Sequence, residues 1–424
     1  MKQIVLFGAG KSATCLIDYL IKLTSENGWE VTVADGDIVT AKSKIGDAKT
    51  ANAVSLNVED DDARQILVKK ADVVISLLPP SLHFLVARDC VTMNKNLLTA
   101  SYVDDKIKSL EETINQKRLL FLCEMGLDPG IDHMSAMEII NRIQNEGGTI
   151  TSFKSHTGGL IAPESDDNPW HYKISWNPRN VVLAGSAGAV YKENGVVHNK
   201  KYETLFDGCM KINLDGIGDL AYYPNRDSLS YIPIYNLDSA KTFIRTTLRY
   251  PSFCNAWKPI VAAGLTNDKN NIDPAGLSVR KWSLPVTPVI NEENYQQLQF
   301  LGLFDDLPVP QSAKNSADIL QYLLETKLAM KQQDKDMIVM IHELEYEMGN
   351  KTHSIRSSLI VKGEDSLRTA MAKTVGLPLG IAANLILKGK IKLTGLHIPI
   401  LPEIYEPVLA ELKKHAIQFE EHLN

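Results

Sequence analysis

Apolar and polar positions alternate in blocks along the first part of the chain. The run Ile4-Val5-Leu6-Phe7 is followed by an amphipathic stretch with Leu16, Ile17, Leu20 and Ile21 at helical spacing, then by a second apolar run from Trp29 to Ala34. Further strand-like runs lie at Val54-Leu56, Val73-Leu78, Leu97-Thr99 and Leu119-Cys123. Strands alternating with helices in this way predict a parallel sheet covered by helices on both faces. The run Ala71 to Leu78 stops at Pro79-Pro80, so its carboxyl end opens into a loop, and ligands bind at such ends. Between about 150 and 290 the pattern changes to short strands punctuated by Gly and Pro and carrying aromatic residues, as in Phe153-His156, Val181-Leu183 and Ala221-Tyr223. That predicts a second, mixed or antiparallel sheet. From about Glu292 to Lys331 helical periodicity dominates, with Leu298, Leu301, Leu320, Leu323 and Leu324 on apolar faces. The run Asp336 to Glu345, leading on to His353-Val361, fits a return to the second sheet. The helical stretches Ala370 to Leu387 and Glu403 to Leu423 are expected to pack back on the first domain.

Composition bounds the reading. A chain of 424 residues, 44% hydrophobic, is too long for one ordinary domain, and two or three are expected. No unbroken apolar stretch of membrane-crossing length is expected, and Met1-Lys2-Gln3 leads directly into a strand, so the cytoplasm is the expected location. Cys15, Cys90, Cys123, Cys209 and Cys254 are scattered and odd in number, which argues against a disulfide framework and for free thiols. A net charge of -6 with mixed signs gives no basic stripe for nucleic acid. His133, His156, His342 and His353 lack metal-ligand spacing, and no metal is expected.

The first apolar run ends in Gly8-Ala9-Gly10-Lys11-Ser12-Ala13. Gly8 permits a tight turn, Gly10 lets a pyrophosphate approach the backbone N–H groups at the helix start, and Ala13 lets the helix lie close to the strand. Asp35 ends the second strand, where an acidic side chain can accept a hydrogen bond from an adenosine ribose 2′-hydroxyl. The expected cofactor is therefore NAD, with NADP as the alternative because Lys42 and Lys44 lie nearby. Polar residues at other strand ends carry further candidate chemistry. Thr99-Ala100-Ser101-Tyr102 follows a strand, and its hydroxyls either face a ligand or cap a helix. In Glu124 to His133, Asp128 precedes Pro129 and is biased out of the helical region, either as a helix cap or as a proton-transfer group. The polar stretch Gly158 to Trp170 reads as a lid or as a solvated loop. Arg226 and the pair Arg245 and Arg249 stand in two separate blocks. An arginine fork holds a carboxylate through two parallel N–H bonds, so the two blocks suggest a substrate with more than one carboxylate.

Taken in order, these blocks resemble saccharopine reductase, the glutamate-forming saccharopine dehydrogenase family of lysine metabolism. The likeness covers nearly the whole chain and rests on Asp72 to Pro79, Gly126 to His133, Gly158-Gly159-Leu160 with Pro163-Glu164 and Asp167-Asn168-Pro169, Tyr172-Lys173 with Ser175-Trp176, Tyr223 to Ser228, and Thr247 to Tyr250. It implies an α/β protein with a Rossmann-type domain over residues 1–126, joined by a C-terminal segment from about 385 to 424. A mixed-sheet substrate and dimerisation domain would span 127–290 and about 335–365, and a small helical domain 291–334 with about 366–384. Gly8, Ala9, Gly10, Lys11, Ser12, Asp35, Leu77, Thr99, Ala100, Gly126, Leu127, Asp128 and Trp176 would line the cofactor. Ala100, Ser101, Leu127, Arg226, Thr247, Leu248 and Arg249 would line the substrate, with Asp128 as the candidate proton-transfer residue. The implied activity is conversion of saccharopine to glutamate and 2-aminoadipate 6-semialdehyde by a homodimer. Carboxynorspermidine dehydrogenase, or a dinucleotide or amino-acid sensor without activity, are the alternatives. One departure stands out: Asp35-Gly36-Asp37 occupies the place where the family carries a basic residue suited to a 2′-phosphate.

Overall fold

A computed structural model describes residues 1–423. Its contacts divide the chain into two units, residues 1–142 with 367–419 and residues 143–366 with the chain from Glu420 onward.

In the first unit, strands β1 (Gln3–Phe7), β2 (Glu30–Asp35), β3 (Ala51–Ser55), β4 (Val73–Ser76), β5 (Asn96–Thr99) and β6 (Leu120–Leu122) form one parallel sheet in the order β3-β2-β1-β4-β5-β6. A seventh strand, Gly395–His397, lies parallel to β6 at the edge. Ile4, Val5, Leu6 and Phe7 are all buried because helices cover both faces, which is why β1 reads as a continuous apolar run. The order reverses between β1 and β4, and the carboxyl ends of those two strands mark where such a sheet binds its ligand. Helix α1 (Thr14–Asn27) buries Leu16, Ile17, Leu20 and Leu23 and stops at Gly28, whose left-handed φ of 65° ends the helix.

The C-terminal part of the chain departs from the sequence expectations. The helix Ala370–Leu387 packs on α1 within the first unit, as its pattern led one to expect, whereas the resemblance placed residues up to 384 in a small helical domain. A Cβ at Gly376 would lie 2.9 Å from the Cβ of Leu16, and one at Gly380 would lie 2.6 Å from the Tyr19 ring, so these glycines let the two helices approach closely. The same helix is long and apolar enough by composition to cross a membrane, although Lys373, Thr374 and Asn384 interrupt its apolar run as expected, and most of it is buried inside the fold. Near the C-terminus, the expected long helix ends at Lys414. Residues 420–423 instead form a strand in the second unit's sheet, paired with Lys351–Lys362, although the whole stretch to 424 was expected on the first domain.

The second unit is built on a ten-stranded mixed sheet. Its central strand, Thr149–Ile161, runs parallel to Thr242–Arg249 on one side and antiparallel to Asp336–Met348 on the other. The last of these continues into Lys351–Lys362 as a hairpin. Gly158 has no room for a side chain, since a Cβ there would be 2.6 Å from that of Leu248. Residues 291–334, expected as part of a third domain, fall in this second unit, where Leu298, Leu301, Leu320 and Leu324 join Trp170, Phe253 and Trp257 in one core. The stretch Gly158 to Trp170 is accordingly no detached lid. Trp170 is fully buried, and Lys173 holds Asp167 at 2.8 Å and Asp334 at 2.7 Å.

Candidate functional site

The glycine turn is tied to the end of β2. Ala9 N–H donates to Asp35 Oδ2 at 2.6 Å and Asp37 N–H donates to Asp35 Oδ1 at 2.8 Å. Gly8 has φ 103°, and a Cβ there would come within 2.6 Å of the Leu77 carbonyl, so only glycine lets this turn pass the end of β4. A Cβ at Gly10 would meet nothing within 4 Å. That open space lies before the short turn Lys11–Ala13, with Ser12 half-buried and Lys11 exposed beside it. These residues fit the pyrophosphate of a dinucleotide, which takes backbone N–H groups at a helix start. Around the adenosine end the fit differs for the two cofactors, because the side chains of Asp35 and Asp37 are both acidic and Lys44 Nζ donates to the Gly10 carbonyl at 2.5 Å.

Beyond β5 and β6 two loops are zipped together. Met125 N–H donates to the Thr99 carbonyl at 3.0 Å and Glu124 N–H to the Ser101 carbonyl at 3.1 Å. A Cβ on Gly126 would lie 3.1 Å from that of Ala100. Thr99, Ala100, Ser101, Gly126, Leu127 and Asp128 thus share one neighbourhood, and Tyr102 Oη donates to Asp128 Oδ1 at 3.0 Å. Helix α2 (Ile131–Asn145) begins three residues past Asp128.

Three side chains, His83, Glu124 and His133, hold these loops in roles that their sequence positions did not assign. His83 Nδ1 lies 2.8 Å from Ser76 Oγ and its Nε2 lies 2.7 Å from Ser101 Oγ, linking the ends of β4 and β5. Burial pushes its pKa down to about 4, so the ring is neutral near pH 7. Glu124, buried and at a left-handed φ of 58°, accepts Val103 N–H at 3.1 Å through Oε1, and its Oε2 sits 2.8 Å from His133 Nε2. The sequence signal for each was only a polar residue in an apolar context, which demands a partner without naming it.

In the second unit the strand Thr242–Arg249 ends in Thr247, Leu248 and Arg249. Arg249 is 4% exposed. One of its nitrogens, Nη1, donates to the Leu248 carbonyl at 2.8 Å, Nε has no hydrogen-bond partner among the described residues, and its guanidinium lies 5.4 Å from the ring centres of both Tyr172 and Phe253. Tyr172 Oη in turn accepts from Trp176 Nε1 at 3.1 Å, so Trp176, expected to line the cofactor, belongs to the second unit and reaches the Arg249 cluster through Tyr172. Thr247 is paired with Tyr223 on the neighbouring strand. Leu248 is fully buried in an apolar cluster with Leu160, Met337 and Val339, so its side chain serves the core. Arg226 is exposed and holds a φ of 52°, a conformation that costs a non-glycine residue energy and often marks a functional position. Arg245 is buried with its guanidinium 4.5 Å from the ring centre of Tyr231.

A doubly wound parallel sheet with an open glycine turn at its switch point, in one chain with a mixed-sheet unit that buries a carboxylate-ready arginine, defines a dinucleotide-binding protein of the dehydrogenase class. Residues 4–122 match the saccharopine dehydrogenase NADP binding domain and residues 126–417 the saccharopine dehydrogenase C-terminal domain, and the chain belongs to the saccharopine dehydrogenase family. It is 36% identical to the mitochondrial alpha-aminoadipic semialdehyde synthase of Bos taurus over 99% of its own length, but covers only 47% of that protein, so the chain spans about half the length of such relatives. It is 32% identical to the saccharopine dehydrogenase [NADP(+), L-glutamate-forming] of Saccharomyces cerevisiae, with 99% of each chain covered. The solved apo structure of the Saccharomyces cerevisiae saccharopine dehydrogenase (L-Glu forming) superposes on the whole chain with a TM-score of 0.90 at 31% identity. The expectation of a nicotinamide dinucleotide holds, and of its two forms the fungal relatives are named for NADP.

Proposed function

We propose that this chain interconverts saccharopine, an oxidised nicotinamide dinucleotide and water with glutamate, 2-aminoadipate 6-semialdehyde, the reduced dinucleotide and a proton. The observation that carries the reading is Arg249. A guanidinium buried under two aromatic rings without a carboxylate costs several kcal/mol of desolvation that an arriving substrate carboxylate offsets. Saccharopine brings three carboxylates, and Arg226 supplies a second fork. The dinucleotide, when bound, supplies the hydride acceptor, and the protein has to orient the carbon and handle the proton. By the family resemblance, Ser101, fixed by His83, and Thr247 are assigned to orienting the substrate. Asp128, hydrogen-bonded by Tyr102, takes the proton from the secondary amine.

The test is to mix the purified chain with saccharopine and dinucleotide and follow both reduced cofactor and free glutamate. Stoichiometric release of both supports the reading. Turnover of carboxynorspermidine but not saccharopine overturns it in favour of that enzyme, and binding without turnover in favour of a sensor. Within the active protein, Asp128→Asn is expected to lower kcat by about 100-fold and to remove one limb of the pH profile, with little change in dinucleotide affinity. A homodimer, implied by the family resemblance, belongs to the same proposal, as do the cytoplasm and the lack of membrane or nucleic-acid partners, which rest on the N-terminal sequence and the charge pattern alone; sedimentation of the purified chain tests the dimer.

A further inference from the structure

Resting on the reading that the first unit binds a nicotinamide dinucleotide, we infer that its adenosine end selects a free ribose 2′-hydroxyl, making this chain specific for NAD although its family is named for NADP. In a doubly wound sheet the adenosine ribose lies at the end of the second strand, where an acidic residue suits a hydroxyl and an arginine suits a phosphate. Here that strand ends in Asp35-Gly36-Asp37. Asp35 cannot swing aside, because one carboxylate oxygen accepts Ala9 N–H at 2.6 Å and the other accepts Asp37 N–H at 2.8 Å. Both oxygens keep lone pairs for a ribose hydroxyl. Gly36 offers no side chain to a phosphate.

The next helix, Ile38–Ile45, has its N-terminus closed by the chain itself. Asp37 caps it, accepting Val39 N–H at 2.9 Å and the Thr40 hydroxyl at 2.5 Å, so these donors are taken before any phosphate arrives. Those bonds also hold the Asp37 carboxyl below the usual carboxylate range. Of the two lysines on this helix, Lys44 has its ammonium committed to the Gly10 carbonyl at 2.5 Å, with burial lowering its pKa, which leaves only the exposed Lys42 to answer a phosphate. A 2′-phosphate would therefore be set against two fixed carboxylates. A ribose hydroxyl meets no such opposition.

Fluorescence titration of the full chain with NADH and with NADPH, each at low and at moderate salt, tests the inference without reference to turnover. NADH is expected to bind at least tenfold more tightly at low salt, with the gap narrowing as salt screens the carboxylates. Competition by ADP and by 2′,5′-ADP isolates the adenosine end, and ADP should compete better. Asp37→Ser keeps a capping side chain while removing a charge, so it should strengthen NADPH binding severalfold and leave NADH unchanged. Equal or tighter binding of NADPH by the unmodified chain overturns the inference while leaving the dinucleotide reading intact. Failure of both dinucleotides to bind overturns the inference together with that reading.

Discussion

Arg249 carries an instructive imbalance. Its charge is buried against Tyr172 and Phe253, so the free protein bears a cost that, on the proposed function, a substrate carboxylate offsets. Replacing it by an apolar residue of similar length should therefore cost the fold nothing and the reaction a great deal. Arg249→Met is expected to keep or raise the melting temperature while kcat/KM for saccharopine falls by about 100-fold or more, equivalent to roughly 3 kcal/mol. A drop in melting temperature with intact kinetics would identify Arg249 as a structural residue. His83 gives a pH signature of its own. Its folded pKa is about 4 against an ordinary 6.5, so between these values the unfolded chain binds the extra proton and the folded chain does not. Stability is complete above about pH 6.5 and declines as the pH falls toward 4, by about 3 kcal/mol for this ring. Denaturant titrations across that range should show the decline, and His83→Asn should flatten it. The slope left over belongs in part to His156, whose pKa burial also lowers.

Elements were legible to different degrees, for physical reasons. Strand β1 and its turn could be read directly, because burial on both faces writes an unbroken apolar run and the close pass of Leu77 demands glycine at position 8. The helix Ala370–Leu387 was recognisable as a helix but not as the partner of α1, since periodicity reveals an apolar face and never which neighbour covers it. Its glycines held the missing clue, being placed at 376 and 380, one turn apart on the side that meets Leu16 and Tyr19. Gly376→Val should force those helices apart and destabilise the first unit by roughly 1–3 kcal/mol, visible as a lower melting temperature. Site residues followed the same rule. Asp35 and Asp128 stand in recognisable local contexts, whereas the pairing of His83 with Ser101 and of His133 with Glu124 exists only after the loops close.

At the scale of the molecule the notable feature is discontinuity. The first unit is assembled from residues 1–142 and 367–419, with the second unit's chain running between them. A chain ended at residue 366 would keep the glycine turn and strands β1 to β6, yet lack the helix that covers α1 and the edge strand Gly395–His397. Such a chain is expected to lose cooperative unfolding of the first unit and dinucleotide binding along with it, as thermal melts with and without NADH would show. Adding residues 367–419 as a separate peptide should restore part of both.

That discontinuity also has a consequence in time. A ribosome releases the glycine turn and α1 early, but about 360 further residues, from Asn27 to Leu387, must be made before the helix that seals Leu16 and Tyr19 is available. At about 5–20 residues per second the wait lasts on the order of twenty to seventy seconds. Throughout it the nascent chain displays a greasy, unsealed helix face to the crowded cell. Yield in a living host should therefore depend on holdase chaperones and on translation speed more than the stability of the finished protein would suggest.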